Sequence, residues 1–264
     1  MKLQHIYLYP IKSTQSYGVA QAVVQPQGLN FDRTFMLTEL DGTFITARKD
    51  AELYHFHALP TPLGLYIQHK DGSAIQVQYT DFQQSQACEV WGNEFNSLLA
   101  PQQINQWFSE KMGRAVQLRW TGEHTQRKIK RYPDQPLSFA DGYPLLLTTE
   151  ASFNAVQQAC PSPISPLQFR PNLIIDSIAP FEEQQWDEIQ IGKVKFLHSK
   201  PCERCVLTTR NPTTNQTDPK MEPFRTLKKL NRNEQGAPLF GINLIPLNTG
   251  IIRVNDEVKV LTLK

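Results

Sequence analysis

The chain has 264 residues, 40% of them hydrophobic and 20% charged, which excludes an intrinsically disordered protein. A formal net charge of +2 gives no electrostatic mandate for nucleic acid or an anionic membrane surface, and neither is expected as a partner. Four cysteines (Cys88, Cys160, Cys202 and Cys205) do not make a disulfide framework, which fits a reducing compartment.

The N-terminal "MKLQHIYLYPIKS" reads as a strand ending at Pro10. It lacks the apolar length and small-residue cleavage site of a signal peptide. No window reaches the roughly 18 uninterrupted apolar residues of a membrane helix, so the expected location is cytoplasmic. "VAQAVVQP" alternates as a second strand. "TFMLTELDGTFITAR" reads as a hairpin around Asp41-Gly42, and "GLYIQHKDGSAIQVQY" as another around Asp71-Gly72. "ACEVWGNEF" gives one more short strand. "PQQINQWFSEKMG" is predicted to be a helix, with Pro101 near its start, Ile104, Trp107, Phe108 and Met112 at helical spacing, and Gly113 after its end.

"AVQLRW" then reads as a strand and "TGEHTQRKIKRYPDQPLSFADGYP" as a polar loop. The loop's basic run 127–131 is expected to be solvated, with docking of an acidic carrier as the functional alternative. "LLLTTEASFNAVQQAC" starts as a strand and turns helical near Thr149-Glu150. "RPNLIID", "IQIGKVKFLHS", "CVLTT", "FGINLIPL" and "GIIRVNDEVKVLTL" read as strands. Nineteen prolines favour many short elements. The expected fold is mainly β with a few helices, an α+β chain of two β-rich modules joined near residues 95–120. No phosphate loop of the P-loop or Rossmann kind is present.

The pair Cys202-x-x-Cys205 admits several chemistries. A structural zinc site wants four ligands. Here His198 could add a third, while Cys88 and Cys160 lie far away in sequence. A redox dithiol opens a helix, but Val206-Leu207-Thr208-Thr209 is β-branched and strand-like. Two buried cysteines are the bland alternative, against which stand the polar neighbours Lys200, Glu203 and Arg204. A single thiolate completing the coordination of a metal held by a cofactor fits as well. A bulky anionic cofactor would call on cations at turns, of which Lys12-Ser13, Arg33, Arg48, and Arg170 with Asn172 are candidates.

The blocks "YPIKS", "FDRTFML", "TARKD" and "VWGNEF", followed in order by "LLLTTEASF", "QFRPNLII", "QWDEIQIGKVKF", "KPCERCVLTT" and "APLFGINL", resemble the MOSC-domain family, nearest the amidoxime-reducing members. The resemblance implies a MOSC N-terminal β-barrel domain over 1–95 and a molybdenum cofactor-binding MOSC domain over 96–264. It implies a molybdenum–molybdopterin cofactor with Cys205 as the thiolate ligand of the metal and Cys202 as a neighbour. It also implies cofactor contacts from Lys12, Ser13, Arg33, Asp141, Gly142, Tyr143, Arg170, Asn172, Glu203 and Arg204. Gly142 and Tyr143 stand where relatives carry hydroxyl residues, and "TTRNPTTN" departs from the family's more acidic loop.

The reaction so implied is reduction of N-hydroxylated compounds (amidoximes, hydroxylamines, N-hydroxylated bases) by oxygen-atom transfer to molybdenum. Electrons are expected from a separate donor protein, since the chain has no cluster-binding cysteine series. The alternative is a cofactor-binding, carrier or sulfur-transfer protein without reductase turnover. No pyridoxal phosphate chemistry is expected.

Overall fold

The computed structural model describes residues 1–264. Strands dominate, as the α+β expectation requires, and three α-helices accompany them: α1 (Gln102–Met112), α2 (Glu150–Ala159) and α3 (Phe224–Leu230). No helix is long and apolar enough to cross a membrane. The chain forms two units, each discontinuous in sequence. The first takes residues 1–7, 18–30 and 143–264, and the second takes 8–17 and 31–142.

The first unit is built on an eight-stranded sheet in the order Tyr17–Val19, Leu3–Leu8, Leu173–Ile175, Leu145–Thr149, Leu239–Pro246, Val194–Glu203, Trp186–Ile191, Val258–Leu263. Leu145–Thr149 and Leu173–Ile175 run parallel, and both are buried along their whole length, the pattern of strands covered on two faces. A parallel neighbour needs a crossover, and α2 supplies it. The helix starts where Thr149 Oγ1 accepts from the Ser152 N–H at 3.1 Å, an N-cap that ends the strand as it opens the helix. Val156 of α2, Leu227 of α3, Phe169 and Phe240 then form one apolar cluster.

Gly241 lets the Leu239–Pro246 strand lie close against its neighbour. Its φ is +73°, and a Cβ there would stand 2.5 Å from the Leu147 carbonyl oxygen and 2.8 Å from Thr148 Cγ2.

The second unit holds a four-stranded antiparallel sheet, in the order Phe35–Thr38, Gln117–Trp120, Asn93–Leu99, Gln84–Val90, and a three-stranded meander of Phe56–Thr61, Gly64–His69 and Ala74–Gln78. Aromatic rings fill its interior. Phe35 packs against Tyr79, Phe82 and Trp120, and Phe56 against Trp107 and Phe108 of α1. Helix α1 stops at Gly113, which adopts the left-handed conformation at φ 67°.

Several local expectations need correction. Only the first limb of "TFMLTELDGTFITAR" is a strand. After Gly42 the chain bridges Thr43 to Glu89 and Phe44 to Thr38, so the second limb is shared between two neighbours instead of forming a ladder with one. "ACEVWGNEF" is not one strand but the ends of two, Gln84–Val90 and Asn93–Leu99, joined by Trp91-Gly92. "CVLTT" is a 3-10 turn over Val206–Thr209, because the Thr208 hydroxyl donates back to the Cys205 carbonyl at 3.0 Å and Thr209 to that of Val206 at 2.7 Å. Helix α3 lay unread in "FRTLKKL". The polar loop contains a small ladder of Lys128–Ile129 on Tyr132–Pro136.

Candidate functional site

The candidate residues form one cluster in each unit. In the second unit they gather around the segment 138–141. Lys12, only 5% exposed, donates from Nζ to the Phe139 carbonyl at 2.8 Å and makes a short ion pair with Asp141. Its own N–H donates to the Phe35 carbonyl, which ties the "YPIKS" turn to a strand. Arg33 donates from its backbone to the Tyr9 carbonyl, accepts from the Phe139 N–H, and lays its guanidinium 4.3 Å from the centre of the Tyr9 ring. Asp32, almost fully buried, takes the Tyr9 N–H at 2.9 Å and an Arg33 N–H at 2.5 Å. Arg48 reaches Asp141 Oδ2 at 3.4 Å.

Arg127 completes this cluster, and it is not the solvated member of a basic run. It is 4% exposed, and its guanidinium donates to the carbonyls of Ser138, Ala140 and Asp141, which fixes the loop that presents Asp141. The sequence signal for it is weak: Ile129 alternates inward with Arg127, while Lys128, Lys130 and Arg131 point out.

Burial holds the Lys12 ammonium down at about 8. Asp141 opposes that shift, while Arg127 and Arg33 add to it. Burial likewise lowers Arg127 to about 10, against the pull of Asp141, Cys88 and Glu89. Crowding by surrounding protein atoms resists ionisation of the solvent-exposed Asp141 carboxyl, but Lys12, with the Trp91 hydrogen bond and Arg48, outweighs it and keeps the carboxyl well below its ordinary range. Four cations (Lys12, Arg33, Arg48 and Arg127) therefore face three carboxylates, Asp32, Asp141 and Glu89.

In the first unit the cluster surrounds the cysteine loop. Cys205 is half-buried and precedes the 3-10 turn. Arg204 braces the loop, donating to the Phe169 carbonyl at 2.6 Å and approaching Cys202 Sγ at 2.9 Å. Gln168 donates to the Thr208 carbonyl at 2.8 Å, so the turn Pro166–Phe169, which ends at Arg170, is tied to the turn that follows Cys205. Glu203 is exposed and lies 3.7 Å from Lys200. The Asn172 side chain accepts from the Leu146 N–H at 3.2 Å and donates to the Tyr7 carbonyl at 3.1 Å, which ties strands together beside Arg170. Tyr143 of the first unit is half-buried, and Gly142, which follows Asp141 in the second unit, is exposed with open space where a side chain would grow.

Three of the candidate residues are among the nine non-glycine residues in the left-handed backbone region. Ser13, Arg33 and Arg170 all have positive φ, at 69°, 49° and 55°. Such conformations are costly without glycine and concentrate where function over-determines the backbone.

The zinc reading loses its third ligand, because His198 is buried and holds the Trp186 carbonyl at 2.7 Å. No three His, Cys, Asp or Glu side chains gather as a metal site. In the second unit cations outnumber carboxylates and Arg127 Nε is a buried N–H donor without a partner, which suits an anionic group. In the first unit Arg204 Nε is such a donor too, and Cys205 is a thiol able to serve a metal.

The chain matches the family model for the MOSC N-terminal beta barrel domain over residues 1–115 and that for the MOSC domain over 134–259. It is 25% identical to Mitochondrial amidoxime-reducing component 1 of Xenopus laevis, over 99% of this chain and 82% of that protein. It is 28% identical to Mitochondrial amidoxime reducing component 2 of Macaca fascicularis, over 96% and 81%. It is also 28% identical to Molybdenum cofactor sulfurase of Oryza sativa subsp. japonica, over 92% of this chain and 32% of that protein.

Proposed function

Since the chain belongs to the MOSC-domain proteins, we propose that it binds a molybdenum–molybdopterin cofactor and uses it to reduce N-hydroxylated compounds. The observation that carries this reading is the cysteine loop. It offers a half-exposed thiol, Cys205, braced by Arg204 and tied to the turn that ends at Arg170. The names of the relatives that span nearly the whole chain point to amidoxime reduction.

When bound, molybdenum supplies the removal of oxygen from an N–OH group at the cost of two electrons and two protons, leaving amine or amidine and water. The chain supplies the setting. Cys205 is the thiolate for the metal, and Cys202, in contact with Arg204, stays outside the coordination. Lys12, Ser13 and Arg33 are partners for the cofactor's phosphate and ring, and Arg170 with Asn172 is a further contact pair, with arginine suited to bidentate contact. Asp141 is an acceptor for pterin N–H groups, held ionised by Lys12 and Arg48. Arg127 keeps Asp141 aimed by holding its loop. Glu203 and Arg204 in the cysteine loop, and Gly142 and Tyr143 after Asp141, are further cofactor contacts.

Electrons come from a separate one-electron carrier protein. Four free thiols suit the reducing environment of a cytoplasm.

The test is metal and pterin analysis of purified protein, followed by turnover of benzamidoxime or a hydroxylaminopurine with reduced viologen as donor. Molybdenum with pterin, and product formation that disappears in Cys205→Ser, is the expected result. Loaded protein that turns over none of several N-hydroxylated compounds is instead a cofactor carrier.

A further inference from the structure

The strands Gln84–Val90 and Asn93–Leu99 meet in a two-residue turn, because Val90 pairs with Asn93. Both turn residues have positive φ, Trp91 at 54° and Gly92 at 73°. A turn of this kind selects Asn, Asp or Gly at its first position, and a bulky aromatic there is an outlier. Burial does not explain the choice, because Trp91 is 47% exposed.

Contacts explain it better. The indole N–H donates to Asp141 Oδ1 at 3.1 Å. The Arg48 guanidinium lies 4.5 Å from the ring centre, and Phe44 meets the ring edge-on at 4.7 Å. Phe44 in turn sits 5.6 Å below the Lys12 ammonium. One disfavoured residue thus touches Asp141, Arg48 and the aromatic ring beneath Lys12.

The lone pairs of Asp141 show what this achieves. An ionised carboxylate offers about four acceptor positions. Lys12 and Trp91 occupy both on Oδ1, and Arg48 takes one on Oδ2 at 3.4 Å. The remaining position is on Oδ2, and the Asp141 side chain is 60% exposed. With Oδ1 gripped from two sides, the carboxylate cannot turn away from a ligand arriving at Oδ2.

We propose that Trp91 is a positioning residue for the cofactor: it locks the Asp141 carboxylate, together with Arg48, so that Oδ2 receives an N–H of a flat aminopyrimidinone ring such as the pterin. This rests on the reading above that Asp141 meets the cofactor.

The test compares wild type, Trp91→Asn, Trp91→Phe and Asp141→Ala, each expressed with molybdopterin available. Pterin content, molybdenum content and thermal midpoint are measured for each. Trp91→Asn places a favoured residue in the turn, so its cofactor-free midpoint should rise by about 2–4 °C. Its pterin content should nonetheless fall roughly tenfold, equivalent to ~1.4 kcal/mol of affinity. Trp91→Phe keeps the ring and loses only the N–H, and it should fall between wild type and Trp91→Asn. Should Trp91→Asn be less stable than wild type, Trp91→Phe alone decides, by its pterin content at an unchanged midpoint. Wild-type pterin content in both Trp91 variants, with loss in Asp141→Ala, overturns the role of Trp91 and leaves the functional reading standing. A wild-type protein that takes up no pterin overturns both.

Discussion

Lys12 is a buried ammonium whose proton is held less tightly in the folded chain than in water. The folded group titrates at about 8, whereas an unfolded lysine titrates near ~10.4. Below about 8 both states are protonated and the burial penalty is complete. As pH rises from about 8 towards ~10.4 the unfolded chain binds more protons, so stability increases across that window. Anion affinity runs the other way, because deprotonated Lys12 no longer attracts a phosphate. We therefore expect cofactor retention on dialysis to fall above about pH 8. Lys12→Arg should carry that loss to higher pH, since a guanidinium keeps its charge. Retention that is flat from pH 7 to 10 removes Lys12 from the anion site. The cysteines give a second expectation at this scale. Cys205→Ser should abolish turnover with the thermal midpoint nearly unchanged, while Cys202→Ser keeps its molybdenum and most of its activity. Equal behaviour of the two variants points to a paired role. Lys12, Arg33 and Cys205 stand out in sequence only because they fall in blocks that resemble the family, and their part at the cofactor is the proposal made above. Arg127 was not, since a run of basic residues does not reveal which member turns inward, and Trp91 was not, since tryptophan is no turn residue.

Secondary structure was legible where hydrophobic period and capping agree. "PQQINQWFSEKMG" carries apolar residues at helical spacing and a terminal glycine, and α1 ends there. The Thr149 strand-to-helix switch likewise follows from a cap residue after an apolar run. "CVLTT" misled because β-branched residues favour strands in general, whereas here two threonine hydroxyls bond back to the chain and wind it into a turn. Helix α3 was missed because seven residues with two adjacent lysines give too little period to read. Gly241 carries the prediction that belongs to this level. Gly241→Ala forces a methyl group to 2.5 Å from the Leu147 oxygen at a positive φ. Strain and overpacking together should cost roughly 2–4 kcal/mol. A denaturant midpoint within error of wild type would falsify the close approach of these strands.

At the level of the whole molecule, alternating apolar runs bounded by turn residues, with a proline count that favours short elements, were enough for a mainly β chain. The way that chain is shared between two units was not readable, because pairing between distant segments leaves no local mark. Residues 1–7 and 18–30 belong with 143–264, so each unit is interrupted by the other and the chain passes between them four times. Both clusters of candidate residues are therefore assembled from segments far apart in sequence. Lys12 contacts Asp141 in one, and Gln168 holds the turn after Cys205 in the other. Truncation at any single point between residues 8 and 142 leaves both units incomplete, and proteolysis there should unfold the first unit along with the second.

The pairing of Leu3 with Ile175 also sets a timetable for synthesis. The strand Leu3–Leu8 leaves the ribosome well before its sheet partner Leu173–Ile175, which is translated about 170 residues later. At 5–20 residues per second, that is a wait of roughly 8–35 s. Throughout it, the edge of Leu3–Leu8 that later meets Leu173–Ile175 is unpaired, which makes it the natural place for a chaperone to hold the growing chain.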